Sequence, residues 1–172
     1  MKTHALIAAT AALCLSACDK PADRAPSMAK APTPVAGPEV PVAPGVHAVP
    51  AWAVGLIGKT FKDAYPGAPG DCLGNTDAIN GKTEAGTEIL GWGWDSAAAA
   101  VASRILLVDA AGAIVGAGET GLPREDVIKA MPQVTSKTPG WSAFTVATTG
   151  EIKAYGLIAD GKSVCPLGGI KL

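Results

Sequence analysis

The distribution of proline constrains this chain more than any other feature of it. Of fourteen prolines, eight stand at positions 21, 26, 32, 34, 38, 41, 44 and 50, and no aromatic residue lies among them. Proline lacks the amide hydrogen that ladders and helices use, and a stretch so poor in large apolar side chains has no core to bury. Residues 19–50 are therefore expected to be a disordered tether biased toward polyproline II geometry. At about 3.1 Å per residue, about thirty such residues reach on the order of 90 Å when extended. The plain role of such a segment is a spacer, and recognition by a proline-binding partner is the sharper alternative. What can fold is confined to residues 51–172, about 120 residues, enough for one ordinary domain.

The residues ahead of position 18 have the anatomy of an export signal. Lys2 supplies a basic start, and residues 5–15 run uncharged with Thr10 as the one polar side chain. That fits the roughly 7–15-residue apolar region of a signal peptide and is shorter than the about 20 residues that span a bilayer. The run ends in Leu15-Ser16-Ala17-Cys18, which resembles the lipobox of bacterial lipoproteins. The resemblance implies cleavage after Ala17 by signal peptidase II, a diacylglyceryl thioether on Cys18 and acylation of the new amine. Two or three acyl chains, at about 0.8 kcal/mol per buried methylene, hold a protein at a membrane where a single chain does so only marginally. An ordinary signal peptide with an incidental Cys is the bland alternative. The expected organisation is a signal peptide over 1–17, a lipidated Cys18 with its tether over 18–50, and a periplasmic domain over 51–172. Asp19 resembles the residue that keeps enteric lipoproteins in the inner membrane, so that membrane is favoured and the outer one stays open.

Without the signal the chain has 13 basic and 15 acidic residues, a net charge near −2, and no basic run. Nucleic acid is therefore not an expected partner. With Cys14 lost with the signal and Cys18 lipidated, Cys72 and Cys165 remain. In an oxidising compartment such a pair reads as a disulfide, and closing a loop of about 90 residues stabilises a domain by up to roughly 4–5 kcal/mol in the chain-entropy account. A redox-active pair is the alternative, against which stands the absence of Cys-x-x-Cys spacing.

Apolar or alternating runs of strand length recur along the domain, at 87–94, 104–109, 113–117, 141–148, 151–159 and 162–165. Turn chemistry separates them. Asp109-Ala110-Ala111-Gly112 suits a tight turn with a left-handed glycine, and Asp160-Gly161 has the signature of a type I′ hairpin. Residues 123–131 predict one helix, with Pro123 in the first turn, Glu125 and Asp126 at the positive end, and Pro132 as a stop. Residues 96–103 read as a short turn or loop, and 52–66 are open between a strand and a helical turn. The fold class expected is all-β: an immunoglobulin-like antiparallel β-sandwich of about seven strands with one short helix.

An ordered set of short motifs adds to this reading. Gly91-Trp92-Gly93-Trp94-Asp95 is followed by Leu107-Val108-Asp109, Ile114-Val115-Gly116, Arg124-Glu125-Asp126-Val127 and Gly140-Trp141. The set resembles the β-sandwich accessory domains of bacterial cell-envelope and membrane glycosyltransferase-like proteins, over about residues 71–167. The resemblance implies a non-catalytic domain. The alanine-rich 97–100 stretch and the lone domain on a lipid anchor depart from that pattern.

Candidate chemistry is sparse. The two histidines are His4 and His47, one in the signal and one in the tether. The domain thus has no imidazole for Ser-His-Asp or Cys-His catalysis or for most zinc sites. No catalytic residue, metal or cofactor is expected. Gly116-Ala117-Gly118-Glu119-Thr120-Gly121 matches Gly-x-Gly-x-x-Gly, but a dinucleotide site needs a βαβ unit and a distant acidic residue that the surroundings do not offer. Those glycines are expected to serve a strand end and turn. The carboxylate pairs Glu84 with Glu88 and Glu125 with Asp126 have no spacing that sets them across a cleft. Arg124 and Asp126 are expected to form a structural ion pair pinning the helix to the sheet. Alternation places Trp92 and Trp94 on one strand face with Leu90. Two indoles there serve either as core or as a platform for a ligand, and Trp52 and Trp141 are equally open. The expectation is a binding module for an envelope glycan, or else a subunit docking on a membrane enzyme or envelope complex.

Overall fold

The structure, a computed structural model, describes residues 48–158 and 161–172. The signal, Cys18, His47 and nearly all of the tether lie outside the described residues. A 3-10 turn, Ala51–Ala53, is followed by α1 Phe61–Ala64, β1 Cys72–Thr83, β2 Gly86–Asp95, β3 Ala100–Val101 and β4 Arg104–Asp109. Then come β5 Ile114–Leu122, α2 Glu125–Ala130, β6 Gly140–Thr145, β7 Glu151–Leu157 and β8 Val164–Lys171. Among the described residues eight strands and two short α-helices make an all-β antiparallel protein. The class is the one the turn-punctuated pattern predicts, with slightly more elements than expected. The strands hydrogen-bond in the order β1-β2-β6-β5-β4-β7-β8, with β3 beside β2, so the layers expected of a sandwich belong to one continuous sheet.

That sheet rolls until its two ends meet. No ladder joins β1 to β8. Instead Cys72 and Cys165 form a disulfide with a Cα–Cα separation of 5.6 Å. Thr76 Oγ1 donates to the Leu167 carbonyl at 3.0 Å, and the Gly70 amide donates to the Val164 carbonyl at 2.7 Å. The pairing expected of the two cysteines is thus the clasp of a seam.

Directly opposed residues of neighbouring strands share a face of the sheet. Ile89 opposes Ala143 and Gly91 opposes Trp141. Ala143 opposes Gly118, Gly118 opposes Ile105, and Ile105 opposes Gly156. These positions face the interior, where Ile89, Ile105, Leu107, Trp141, Ile152 and Leu167 pack with Cys165. Full burial of each large aliphatic side chain is worth about 1.5–3 kcal/mol. The curl requires missing side chains on this face. A Cβ at Gly91 would stand 2.3 Å from Trp141 Cζ2, and one at Gly118 would stand 2.0 Å from the Ser142 carbonyl oxygen. Glycine inside a strand marks such a bend.

The outer face is covered in two places. Trp52, Leu56, Ile57 and Phe61 pack on Leu106, Val108, Ile114 and Leu157 of β4, β5 and β7. On the other side, Val127 of α2 and Val134 beyond it cover Trp94 of β2.

Several sequence expectations shift in detail. The region 52–66 resolves as helical turns rather than a strand. The predicted helix begins at Glu125, two residues after Pro123. At the Asp109 turn the reading holds: Gly112 has φ +85°, and the Ala113 amide donates to Asp109 Oδ1 at 2.9 Å. Past β7 the Ile158 amide donates to the Ser163 carbonyl at 3.1 Å, and the expected turn at Asp160-Gly161 lies partly outside the described residues. Gly116 and Gly118 lie within β5 and face the interior, rather than at a strand end, so the Gly-x-Gly-x-x-Gly spacing reflects sheet curvature.

Candidate ligand-binding face

The tryptophan pair, open between core and platform in the sequence, comes first. Trp92 and Trp94 do share the outer face of β2, because Trp92 opposes Asn75 and Trp94 opposes Leu73 on β1. Trp94, however, is only 3% exposed and packs with Val127 and Val134, while Trp92 is half-buried beside it. The two indoles are not an exposed pair, and Trp94 is core beneath α2. Trp141 is fully buried on the opposite, interior face. Its Nε1 is buried without a hydrogen-bond partner.

Arg124 joins three elements. Its Nε donates to Asp126 Oδ1 at 2.9 Å and one Nη to Asp126 Oδ2 at 2.7 Å, a two-pronged pair with the first turn of α2. The other Nη meets Asp77 Oδ2 on β1, and Asn75 Nδ2 donates to Asp77 Oδ1 at 2.8 Å. Gly140 makes room for the arginine stem, since a Cβ there would lie 2.7 Å from Arg124 Cγ. The hydrogen bond from Arg124 holds the Asp126 carboxyl at about 2, well below the usual range. The two aspartates in turn push the guanidinium further up. All the charges here are spoken for by one another, which suits fastening better than recognition.

Of the carboxylate pairs, Glu84 is exposed near the β1–β2 turn, and Glu88 accepts from Asn80 Nδ2 at 2.7 Å and Ser142 Oγ at 2.5 Å. Glu125 faces Lys129 one turn along α2 at 3.6 Å. No group of three or more His, Cys, Asp or Glu residues placed to hold a metal occurs among the described residues.

The feature missed in the sequence is a stack of three rings on the outer face. The Phe61 ring lies 4.2 Å from that of Tyr155 on β7 and 5.9 Å from that of Tyr65, centroid to centroid. All three are half-buried. A groove of about 700 Å³ runs along β7 and β8 past Tyr155, Lys153, Lys171, Glu151 and Pro166. A second, of about 1130 Å³, lies past Tyr65, Lys59, Asp63 and Pro66. Each groove is thus lined by a tyrosine, and the stack stands between them. Burial raises the Tyr65 hydroxyl above its ordinary value, an effect opposed by the nearby charge of Arg104. A signal existed in Phe61-Lys62-Asp63-Ala64-Tyr65, whose aromatics stand four apart and share a helical face. Their partner Tyr155 is ninety residues distant, so the cluster exists only once β7 is placed.

Beside the second groove, Trp52 sits over the β4–β5 ladder. Arg104 and Glu119 are directly opposed there. Trp52 Nε1 donates to Glu119 Oε1 at 3.1 Å, and the Arg104 guanidinium lies 5.0 Å from the centre of the Trp52 ring.

Comparison of the chain with protein-family models, with curated proteins and with solved structures returned no match.

Proposed function

We propose that this chain is a non-catalytic, lipid-anchored module of the bacterial cell envelope that binds a glycan. Leu15-Ser16-Ala17-Cys18 and the proline-rich tether support the anchored, periplasmic half of the reading. The observation that carries the binding half is the Tyr155–Phe61–Tyr65 stack with a tyrosine-lined groove on either side. A tyrosine ring offers an apolar face to the C–H side of a pyranose and a hydroxyl to its polar rim, the combination that sugar recognition uses. Its neighbours Lys153, Glu151, Lys59 and Asp63 supply donors and acceptors for ring hydroxyls. The surface is shallow and open, which suits a chain-like ligand more than a small enclosed one.

The test is titration of the full chain carrying Cys18→Ser with solubilised cell-wall glycan fragments, followed by calorimetry. Binding is expected to fall roughly five-fold or more in Tyr155→Ala or Tyr65→Ala and to be retained in Trp92→Ala, since one ring stacked on a ligand is worth about 1 kcal/mol or more. Equal affinity in all three variants would remove the stack from the reading. Membrane fractionation tests the anchor: the Cys18→Ser chain is expected in the soluble envelope fraction, and its full retention on membranes would overturn lipidation.

A further inference from the structure

Arg104 is a cation held in place with its hydrogen-bonding edge left over. It stands directly opposite Glu119 across the β4–β5 ladder, the arrangement in which opposite charges ordinarily pair. They form no ion pair. Trp52 engages both residues instead, taking Glu119 through its indole N–H and Arg104 over its ring. A guanidinium over an indole face is fixed in orientation by cation–π attraction, which leaves its N–H donors in the plane free to point elsewhere. Among the described residues no carboxylate or carbonyl accepts a hydrogen bond from Arg104, and the residue is exposed. A groove of about 400 Å³ here is lined by Arg104 and Glu119 themselves with Ser103, Thr120 and Gly161, and Gly161 also lines the Tyr65 groove. Lys59 stands in that neighbouring groove.

We infer that Arg104, oriented by Trp52, is a recognition site for an oxyanion, a carboxylate or phosphate group. A planar fork matches such a group with two parallel bonds, which an ammonium cannot do. Glu119 does not cancel the site, because the indole N–H occupies one of its oxygens and the ring keeps the carboxylate off the guanidinium. Only the identity of the carrier, an acidic sugar residue, rests on the glycan reading. The oxyanion site itself stands on the Trp52–Arg104–Glu119 geometry.

The experiment follows the indole N–H resonance of Trp52, assigned with Trp52→Phe, in the full Cys18→Ser chain. The probes are sodium glucuronate, inorganic phosphate and neutral glucose. Glucuronate and phosphate are expected to shift the resonance saturably and glucose is not. Arg104→Gln is expected to abolish the shift, and Arg104→Lys, which keeps the charge without the fork, to weaken binding roughly ten-fold. An identical response in Arg104→Gln, an equal response to glucose, or no response to either anion would overturn the inference. Anion shifts with no oligosaccharide binding would retain the site and remove the glycan reading. Oligosaccharide binding indifferent to charge and to Arg104→Gln would do the reverse.

Discussion

At the scale of single residues, the interior of this sheet is as much a matter of absent side chains as of present ones. Gly91 opposes Trp141, and its missing Cβ is the space the indole occupies. Gly91→Ala must therefore displace the indole or the β1 backbone, and overpacking of this kind costs about 1–3 kcal/mol, to be read as a lower urea midpoint with unchanged slope. Asp126 makes a prediction in pH. Its folded value of about 2 lies below its ordinary 3.8, so its contribution to stability is complete above about 4 and is lost as pH falls through about 2. Asp126→Asn is expected to flatten the acid limb of stability between those values, as measured by denaturant titrations at successive pH. The same scale shows why the tryptophans were ambiguous in the sequence. Alternation determines that Trp92 and Trp94 share a face, but both faces of β2 are covered near Trp94, one by the rolled interior and the other by α2. Parity along a strand carries no information about a lid supplied thirty residues later.

At the scale of elements, strands that read as apolar or alternating runs were legible, and β4, an apolar run buried on both faces, matches its expected bounds of 104–109. β1 was not. Its sequence, Cys-Leu-Gly-Asn-Thr-Asp-Ala-Ile-Asn-Gly-Lys-Thr, is rich in residues depleted from strands, and its register slips twice, between Thr76 and Ala78 and between Ile79 and Gly81. Each bulge resets the alternation that a periodicity argument needs, and bulges on an end strand also discourage pairing with other chains. α1 was illegible for a different reason. Four residues cannot sustain a helix alone, and this one is held by its surroundings. The Phe61 amide donates to the Gly112 carbonyl at 2.8 Å, and its ring lies on Tyr155. Phe61→Ala should therefore loosen residues 56–65 before the sheet, with faster amide exchange there and a global cost of roughly 1–3 kcal/mol, less than for a fully buried ring. The ring cluster was hidden by the same non-locality, since its members come from α1, the residue after it and β7.

At the scale of the whole molecule, closure depends on the seam. β1 and β8 share no ladder, so the disulfide and two hydrogen bonds replace the row of bonds that a fully closed barrel would have. Replacing both cysteines by serine is expected to cost about 2–5 kcal/mol, seen as a lower thermal midpoint that a reducing agent reproduces in the parent chain and leaves unchanged in the variant. The pairing was legible from cysteine arithmetic. That it clasps the two ends of a rolled sheet was not, because strand order depends on long-range packing that no local pattern encodes.

The clasp also decides how the domain carries a load. Tension applied at residue 51 and at the C-terminal residue passes through the covalent bond at Cys72 directly to Cys165. The 92 residues between them form a closed loop outside the line of force. Pulled between residues 51 and 172, the oxidised domain can pay out only its flanking segments, no more than roughly 100 Å of chain. Under such a pull the segments that yield carry α1 with Phe61 and Tyr65 on one side and most of β8 on the other, whereas β1 to β7 stay inside the closed loop, and reduction of one bond would add their length to the chain that can extend.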